Sequence, residues 1–264
     1  MINTSNVNTM TQQHIKIFAG IVCSAIIIMA CEKNQLTVSP YDYADGKALF
    51  KINYACATAL NPGVRLKIND VIVSNTITYA TPFPGGGLNT GGSNNADYLQ
   101  VEPGSNNVKL SILKAGTDVD SVVLYETTVE LQAETYQTLH VADTGAAIQS
   151  VFLTDPGGME DSGFVQYRFI NLIPNSTGLD LYFGTQKMAS NVAYKQTTES
   201  FRLPAGSTGA WSLRLAGSTV ALANPYSNTG TTSNQRVFTV YARGYLGLKD
   251  TDIRTQKVSL MFNK

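Results

Sequence analysis

The chain has 264 residues, of which 43% are hydrophobic and only 14% are charged. The hydrophobic share is large enough for a packed core, which excludes a globally disordered chain. Lysine plus arginine and aspartate plus glutamate number 19 each, so the chain lacks the net positive charge that favours nucleic-acid binding. The chain has only two histidines and three cysteines, which are few residues for histidine-based metal or nucleophile chemistry.

The N-terminal residues 1–30 are predicted to be a signal peptide. Residues 17–30 form an uncharged, apolar run of 14 residues after Lys16. A membrane-spanning helix needs about 20 apolar residues, whereas the apolar region of a secretory signal needs about 7–15. The run therefore fits a secretory signal and is too short to span a bilayer. Either Met1 or Met10 fits as the start of translation.

The signal ends at Ile28-Met29-Ala30-Cys31, which resembles a bacterial lipoprotein box. The resemblance implies a diacylglycerol thioether on Cys31, cleavage before it and acylation of the new amine by a chain such as palmitate. Several acyl chains anchor a protein stably, whereas one gives only reversible membrane binding. We therefore expect a lipoprotein of a Gram-negative outer membrane, on its surface or periplasmic face. An ordinary secretory signal with a chance cysteine is the alternative.

Residues 31–44 are polar and contain Pro40, which is typical of a tether. If Cys23 is removed with the signal and Cys31 is acylated, Cys56 is the remaining thiol and no intramolecular disulfide forms. Cys56 lies among small apolar residues, which predicts a buried hydrophobic side chain; a reactive thiol is the alternative.

The rest of the chain has the residue pattern of β-strands. Apolar residues occupy every second position in residues 64–68, 108–112 and 211–215, which places one strand face in a core and the other in water. Turn sequences rich in Pro, Gly and Asn separate such runs. The pattern predicts an all-β sandwich fold.

Six segments recur in the same order in two parts of the chain. They pair residues 50–53 with 168–171, 64–68 with 179–183, 71–75 with 187–191, 98–104 with 200–206, the alternating strands that follow these, and 136–141 with 236–241. The repeat predicts two tandem immunoglobulin-like β-sandwich domains, at residues 45–156 and 157–264. We expect a solvated linker at residues 155–161. The first repeat carries an insertion at residues 82–95, whose glycines predict a flexible hairpin tip.

The second repeat resembles the bacterial domain of unknown function 4397 over most of residues 163–264. The matching segments are Phe169-Ile170-Asn171, Pro174, Leu179-Asp180-Leu181-Tyr182, Ala189-Ser190-Asn191-Val192-Ala193 and Leu203-Pro204-Ala205-Gly206. The first repeat resembles a degenerate copy, with Val101-Glu102-Pro103-Gly104 in place of the last turn. The resemblance implies a secreted or surface-anchored β-sandwich protein and supplies no catalytic residues.

No motif in the sequence predicts catalysis, a metal site or a cofactor. The glycines at 85–92 are not followed by the Lys-Ser/Thr pair of a phosphate-binding loop. Asp155, Glu160 and Asp161 do not have the spacing of a calcium-binding loop. His140 shares a strand face with Thr138 and Ala142, which predicts a surface or half-buried position without a catalytic role.

Three aromatic residues in predicted loops are candidates for ligand contacts: Phe83, Tyr79 and Tyr226. Aromatic rings on the loops of a rigid sandwich can stack on sugars, although each of these rings could instead pack on its own domain. Trp211 is assigned to the core of the second domain, because it shares a strand face with Leu213.

The leading hypothesis is a non-enzymatic lipoprotein of the cell envelope that presents loops to a glycan or a surface protein. An assembly subunit that pairs through exposed edge strands is the first alternative. A hydrolase with carboxylates facing each other across the two domains is the second.

Overall fold

The alternating runs of the sequence form strands that are arranged in four sheets. The computed structural model describes residues 46–144, 148–156, 158 and 160–264. The predicted signal peptide, the lipidation site Cys31 and the tether lie outside the described residues. Over the part of the chain that is described there is no α-helix, and none of its elements is a helix long and apolar enough to cross a bilayer. The prediction of an all-β sandwich fold is confirmed.

Ten strands lie among the described residues of the first half of the chain, here residues 46–156. They are β1 (Ala48–Tyr54), β2 (Arg65–Ile68), β3 (Val71–Ile72), β4 (Thr81–Phe83), β5 (Gly87–Leu88), β6 (Leu99–Val101), β7 (Gly104–Leu113), β8 (Asp120–Leu131), β9 (Tyr136–Ala142) and β10 (Gln149–Thr154). One sheet has the order β10-β9-β1-β4, with β6 also paired to β1, and the facing sheet has the order β3-β2-β7-β8. Their inner faces enclose a core that includes Phe50, Leu66 and Leu110.

In the second half, residues 158–264, the described part of the chain forms seven strands. They are β11 (Phe164–Asn171), β12 (Leu179–Phe183), β13 (Gln186–Val192), β14 (Phe201–Pro204), β15 (Trp211–Leu215), β16 (Val237–Arg243) and β17 (Lys257–Phe262), with a 3-10 turn at Thr229–Thr232. The sheets are β14-β11-β16-β17-β5 and β13-β12-β15. Trp211 is fully buried against Tyr167 and Phe183 in the core between them, as predicted.

The recurring segments of the sequence fall on equivalent strands of the two halves. β1 is parallel to β9, just as β11 is parallel to β16. β6 pairs antiparallel to β1 and β14 to β11, and β2 lies between β3 and β7 as β12 lies between β13 and β15. These equivalent strands therefore keep the same order in the two halves. The exact domain boundaries and the immunoglobulin-like connectivity remain predictions.

The two halves belong to one compact unit, Ala44–Lys264. β5 lies in the insertion of the first half, yet it pairs with β17 of the second half in the register Leu260↔Leu88. An apolar cluster between the halves joins Ala55 and Ala142 to Ile170, Tyr241 and Met261. The halves thus contact each other through strand pairing as well as through packed side chains.

The predicted flexible hairpin tip is wrong for residues 85–88, because these residues join the sheet of the second half. Gly86 is buried, and its backbone oxygen accepts a hydrogen bond from the Phe262 nitrogen at 2.6 Å. A Cβ atom at Gly86 would lie 2.7 Å from the Phe262 carbonyl oxygen. The glycine therefore permits a close approach of two backbones rather than chain flexibility.

Candidate binding site

A buried layer of polar side chains between the halves contains several titratable groups whose pKa values are shifted. The Asp155 carboxylate accepts hydrogen bonds from Tyr98 at 2.9 Å and from Thr138, and it forms an ion pair of 2.9 Å with Arg168. The Lys51 ammonium donates to the Phe262 carbonyl at 2.9 Å and lies 4.1 Å from the centre of the Tyr98 ring.

The pKa values in this layer are shifted mainly by burial. Burial raises the pKa of Asp155 against the opposing effects of Thr138 and Arg168. Burial lowers the pKa of Lys51 to about 8, against the nearby charge of Asp155. Burial also lowers the pKa of His140 to about 3, with a further contribution from the positive charges of Arg168 and Lys51. Clusters of shifted groups often mark functional sites.

Solvent access argues that this layer is structural. Lys51, Thr138 and His140 are fully buried, and Asp155 is 2% exposed. A substrate could reach these groups only if the halves separated. The predicted surface or half-buried position of His140 is therefore wrong. The alternation along β9 does direct His140 away from the core of the first half. The second half covers that outer face of β9, so His140 is buried in the contact between the halves.

The predicted solvated linker is wrong for Asp155 and Glu160, which are both buried. Asp155 turns into the polar layer, and Glu160 forms an ion pair of 3.0 Å with Arg202. Asp161 is exposed, as expected. Two acidic residues of this segment are therefore buried in ion pairs, and the third is exposed to solvent.

The structure separates the three predicted ligand aromatics. Phe83 is half-buried and packs against the core of the first half. Tyr79 is 8% exposed in a small cluster with Ala57 and Ala80, and the Arg243 guanidinium lies 5.5 Å from its ring centre. Tyr226 is half-buried and lines a surface cavity.

The cavity beside Tyr226, called the Tyr226 cavity, has a volume of about 620 Å³. Its lining residues are Asn89, Ala221, Leu222, Ala223, Asn224, Pro225, Tyr226, Asp250, Thr255 and Lys257. They come from the loop after β15, the segment before β17, β17 itself and the insertion of the first half. The cavity therefore offers one aromatic ring, aliphatic surface, a carboxylate, an ammonium, a hydroxyl and two amides.

Backbone hydrogen bonds fix the walls of the Tyr226 cavity to the core of the second half. Tyr226 and Trp211 exchange two backbone hydrogen bonds of 2.8 Å, and the Tyr226 side chain packs against that core. The Leu222 nitrogen donates to the Leu213 carbonyl at 2.8 Å. The Asn89 side chain donates to the Val258 carbonyl at 2.7 Å. The walls are thus held in place by the folded sheets rather than by the loop alone.

Asn89, Asp250 and Lys257 were not identified from the sequence as candidate contacts. Asn89 and Lys257 are 168 positions apart in the chain, and no local pattern links them. Asp250 lies in a segment with the composition of an ordinary turn. The pairing of β5 with β17 brings Asn89 to the cavity that Asp250 and Lys257 line.

Metal and thiol chemistry find no support in the part of the chain that is described. No group of three or more His, Cys, Asp or Glu residues there could hold a metal ion. Cys56 is fully buried, as predicted, and burial raises the pKa of its thiol to about 12. A thiol of this kind is not nucleophilic near neutral pH.

Comparison with solved structures gives a match to a candidate cell adhesion protein of Bacteroides uniformis. The two chains are 8% identical, and the match covers 83% of this chain and 97% of the other. The TM-score is 0.18, so the likeness carries no argument about fold or function. No curated protein matches the chain.

Comparison with family models gives two overlapping matches to one family, the domain of unknown function DUF4397, at residues 70–176 and 165–259. Together they extend over well more than half of the 264 residues. They include the signature segments of the second half and much of the first half. The chain therefore belongs to the DUF4397 family and carries that family's domain in both of its halves.

Proposed function

We propose that this protein is a non-enzymatic binding module of the cell envelope, which is anchored through lipid on Cys31 and binds a glycan at the Tyr226 cavity. The observation that carries the proposal is an aromatic ring among polar groups in a cavity whose walls are attached to rigid sheets. Ligand sites commonly combine apolar surface with a few fixed polar groups, on loops that a scaffold positions.

The chemistry of the lining favours a sugar. The half-buried Tyr226 ring offers an apolar face for the C–H groups of a pyranose ring. Asp250, Asn89 and Lys257 supply acceptors and donors that suit sugar hydroxyls. A protein partner that buries a side chain against Tyr226 is the competing outcome.

Binding is tested with the full lipidated protein in detergent on an array of neutral and acidic glycans. Tyr226→Ala is expected to abolish the signal, because the stacking face is lost. The matched control is Tyr182→Ala, which removes a half-buried tyrosine of the same half that does not line the cavity. Equal signals from Tyr226→Ala and the wild type, or no glycan signal at all, would overturn the proposal.

Lipid anchoring rests on the lipoprotein box and is tested by metabolic labelling with an alkyne fatty acid. The wild type is expected to be labelled, and Cys31→Ser is expected to lose the label. Cys56→Ser is the control and should keep it, because Cys56 is buried in the core of the first half. A Cys31→Ser protein that is still labelled would contradict lipidation at that residue.

The proposed location is the outer membrane, with the sandwich facing the cell surface. Protease added to intact cells should degrade the protein, while a periplasmic marker survives. Complete protection until the outer membrane is permeabilised would assign the protein to the periplasmic face and remove surface binding.

Edge-strand assembly is the second candidate function, and one observation favours it. β8 is at the outside of its sheet, and Val122 and Val123 on this strand are 47% and 45% exposed. An exposed apolar edge is a template for pairing with another chain. Sedimentation over a range of concentrations should show self-association that Val123→Lys abolishes. Val71→Lys, which alters another edge strand of the same sheet, is the control; a strict monomer counts against assembly.

A further inference from the structure

A second cavity adjoins the first along the chain. Residues 221–226 line the Tyr226 cavity, and Ser227, Asn228 and Thr229 line a cavity of about 610 Å³. Its other lining residues are Ala205, Gly206, Ser207, Thr208, Gly209, Thr232, Ser233 and Asn234. We call it the hydroxyl cavity, because serine and threonine hydroxyls and two asparagine amides supply its polar side chains. None of its lining residues is charged.

The two asparagines of the hydroxyl cavity are held by their oxygen atoms. Asn228 Oδ1 accepts a hydrogen bond from the Gly230 nitrogen at 2.7 Å, at the start of the 3-10 turn. Asn234 Oδ1 accepts one from the Gly163 nitrogen, also at 2.7 Å. Neither Nδ2 atom has a hydrogen-bond partner among the described residues. Each amide is therefore fixed in orientation while its two N–H donors stay available to a ligand.

The turn beneath the hydroxyl cavity is attached to the core of the second half. Thr231 and Thr232 of this turn are buried. The Trp211 indole nitrogen donates to Thr231 Oγ1 at 3.4 Å, and the Tyr167 hydroxyl donates to the Thr231 carbonyl. The cavity is thus a preformed surface, and little ordering of the chain is needed when a ligand binds.

We infer that the hydroxyl cavity is a second subsite, which binds a neutral part of the same oligosaccharide that occupies the Tyr226 cavity. This inference rests on the proposed function. An ionised group would find no charged partner among the lining residues, whereas sugar hydroxyls can pair with fixed amides and hydroxyls. Tyr226 and Asn228 are two residues apart, so their Cα atoms lie at most about 7.6 Å apart. A ligand of two or three sugar rings is long enough to bridge this separation.

The test compares three neutral trisaccharides with their monosaccharides by calorimetry on the full protein in detergent. The probes are maltotriose, cellotriose and mannotriose, with glucose and mannose as the monosaccharides and sialyllactose as the acidic comparison. At least one neutral trisaccharide is expected to bind about tenfold or more tightly than its monosaccharide, a gain equivalent to about 1.4 kcal/mol. Sialyllactose is expected to bind more weakly than that trisaccharide.

The decisive variant is Asn228→Asp with Asn234→Asp, which keeps the two acceptor oxygens and removes the amide donors. It is expected to lower trisaccharide affinity about tenfold while monosaccharide binding changes less than about twofold. Asn94→Asp with Asn95→Asp, at two exposed positions of the first half, is the matched control for the two added charges. Thr208→Ala with Ser233→Ala removes two cavity hydroxyls that make no hydrogen bond within the described chain, so it tests the same subsite without a risk to the turn.

The outcomes separate the inference from the proposed function. If Tyr226→Ala abolishes binding while both cavity variants bind trisaccharide as the wild type does, the second subsite is wrong and the Tyr226 site stands. Preferential binding of sialyllactose, or equal affinity for trisaccharide and monosaccharide, also overturns the subsite. If no probe binds, both the proposed glycan site and the subsite fail.

Discussion

Arg168 and Asp155 form an ion pair of 2.9 Å between the first strand of the second half and the segment that ends the first half. The Asp155 side chain is fully buried in this pair, and the Arg168 side chain is 12% exposed. A second guanidinium nitrogen of Arg168 donates to the Thr154 carbonyl at 2.8 Å. The contact therefore ties the end of β10 to β11 and contributes to joining the two sandwiches.

Arg168→Ala is expected to destabilise the protein by about 3–5 kcal/mol, because it removes the ion-pair partner of a buried carboxylate. Asp70→Ala is the control: it removes the exposed partner of Lys109, a surface pair for which about 0–1 kcal/mol is typical. Urea unfolding of the full protein measures both changes. Similar losses for the two variants would show that the Arg168–Asp155 pair contributes no more than a surface pair.

His140 is expected to make the protein sensitive to acid. Its folded pKa of about 3 lies below the ordinary histidine value of 6.5, so the unfolded chain binds more protons between these values. The free energy of unfolding therefore falls as the pH drops through this window, by up to about 1.4 kcal/mol per pH unit. The positive charges near His140 are Arg168 and Lys51. The raised pKa of Asp155 acts in the opposite direction in the same layer.

The contribution of His140 is isolated by His140→Gln, which fills a similar volume and does not titrate. Urea unfolding at about pH 6.5 and about pH 4 should show a smaller loss of stability in the variant than in the wild type. Equal losses in the two proteins would mean that other groups cause the acid sensitivity.

Gly86→Ala and Gly104→Ala form a matched pair, because both glycines have φ of +99°. The strain of a left-handed backbone costs about 1–2 kcal/mol at either position. At Gly86 the new Cβ would also lie 2.7 Å from the Phe262 oxygen, whereas nothing lies within 4 Å of it at Gly104. We expect Gly86→Ala to lose a further 1–3 kcal/mol or so in urea unfolding, as overpacked sites do. Equal losses of stability in the two variants would mean that β5 can shift to accommodate the new Cβ atom without disturbing β17.

Cys56 is expected to resist alkylation in the folded protein, because its thiol is buried and its pKa is raised to about 12. Maleimide at about pH 8 should leave the Cys56 peptide unmodified in native conditions and modify it fully in urea, as read by mass spectrometry. Rapid modification of Cys56 in the native protein would contradict its place in the core.

Much of each sandwich could be predicted from local patterns. Strand periodicity depends on residues that are neighbours in the chain, so the alternation at residues 64–68 and 211–215 correctly indicated β2 and β15. Side-chain size and polarity were sufficient to place Trp211 and Cys56 in cores. The recurring segments also fall on equivalent strands of the two halves, because each repeat forms its own pair of facing sheets.

The contact between the halves could be decided only by the tertiary structure. Alternation shows that His140 points away from its own core, and it cannot show that a second sheet covers that outer face. The same holds for Gly86, whose close partner is a backbone 176 residues further along the chain. Local sequence specifies which face of a strand is apolar, whereas the residues that cover the other face are distant in the chain. The contact between the halves buries Asp155 in its ion pair and brings Asn89 to the Tyr226 cavity.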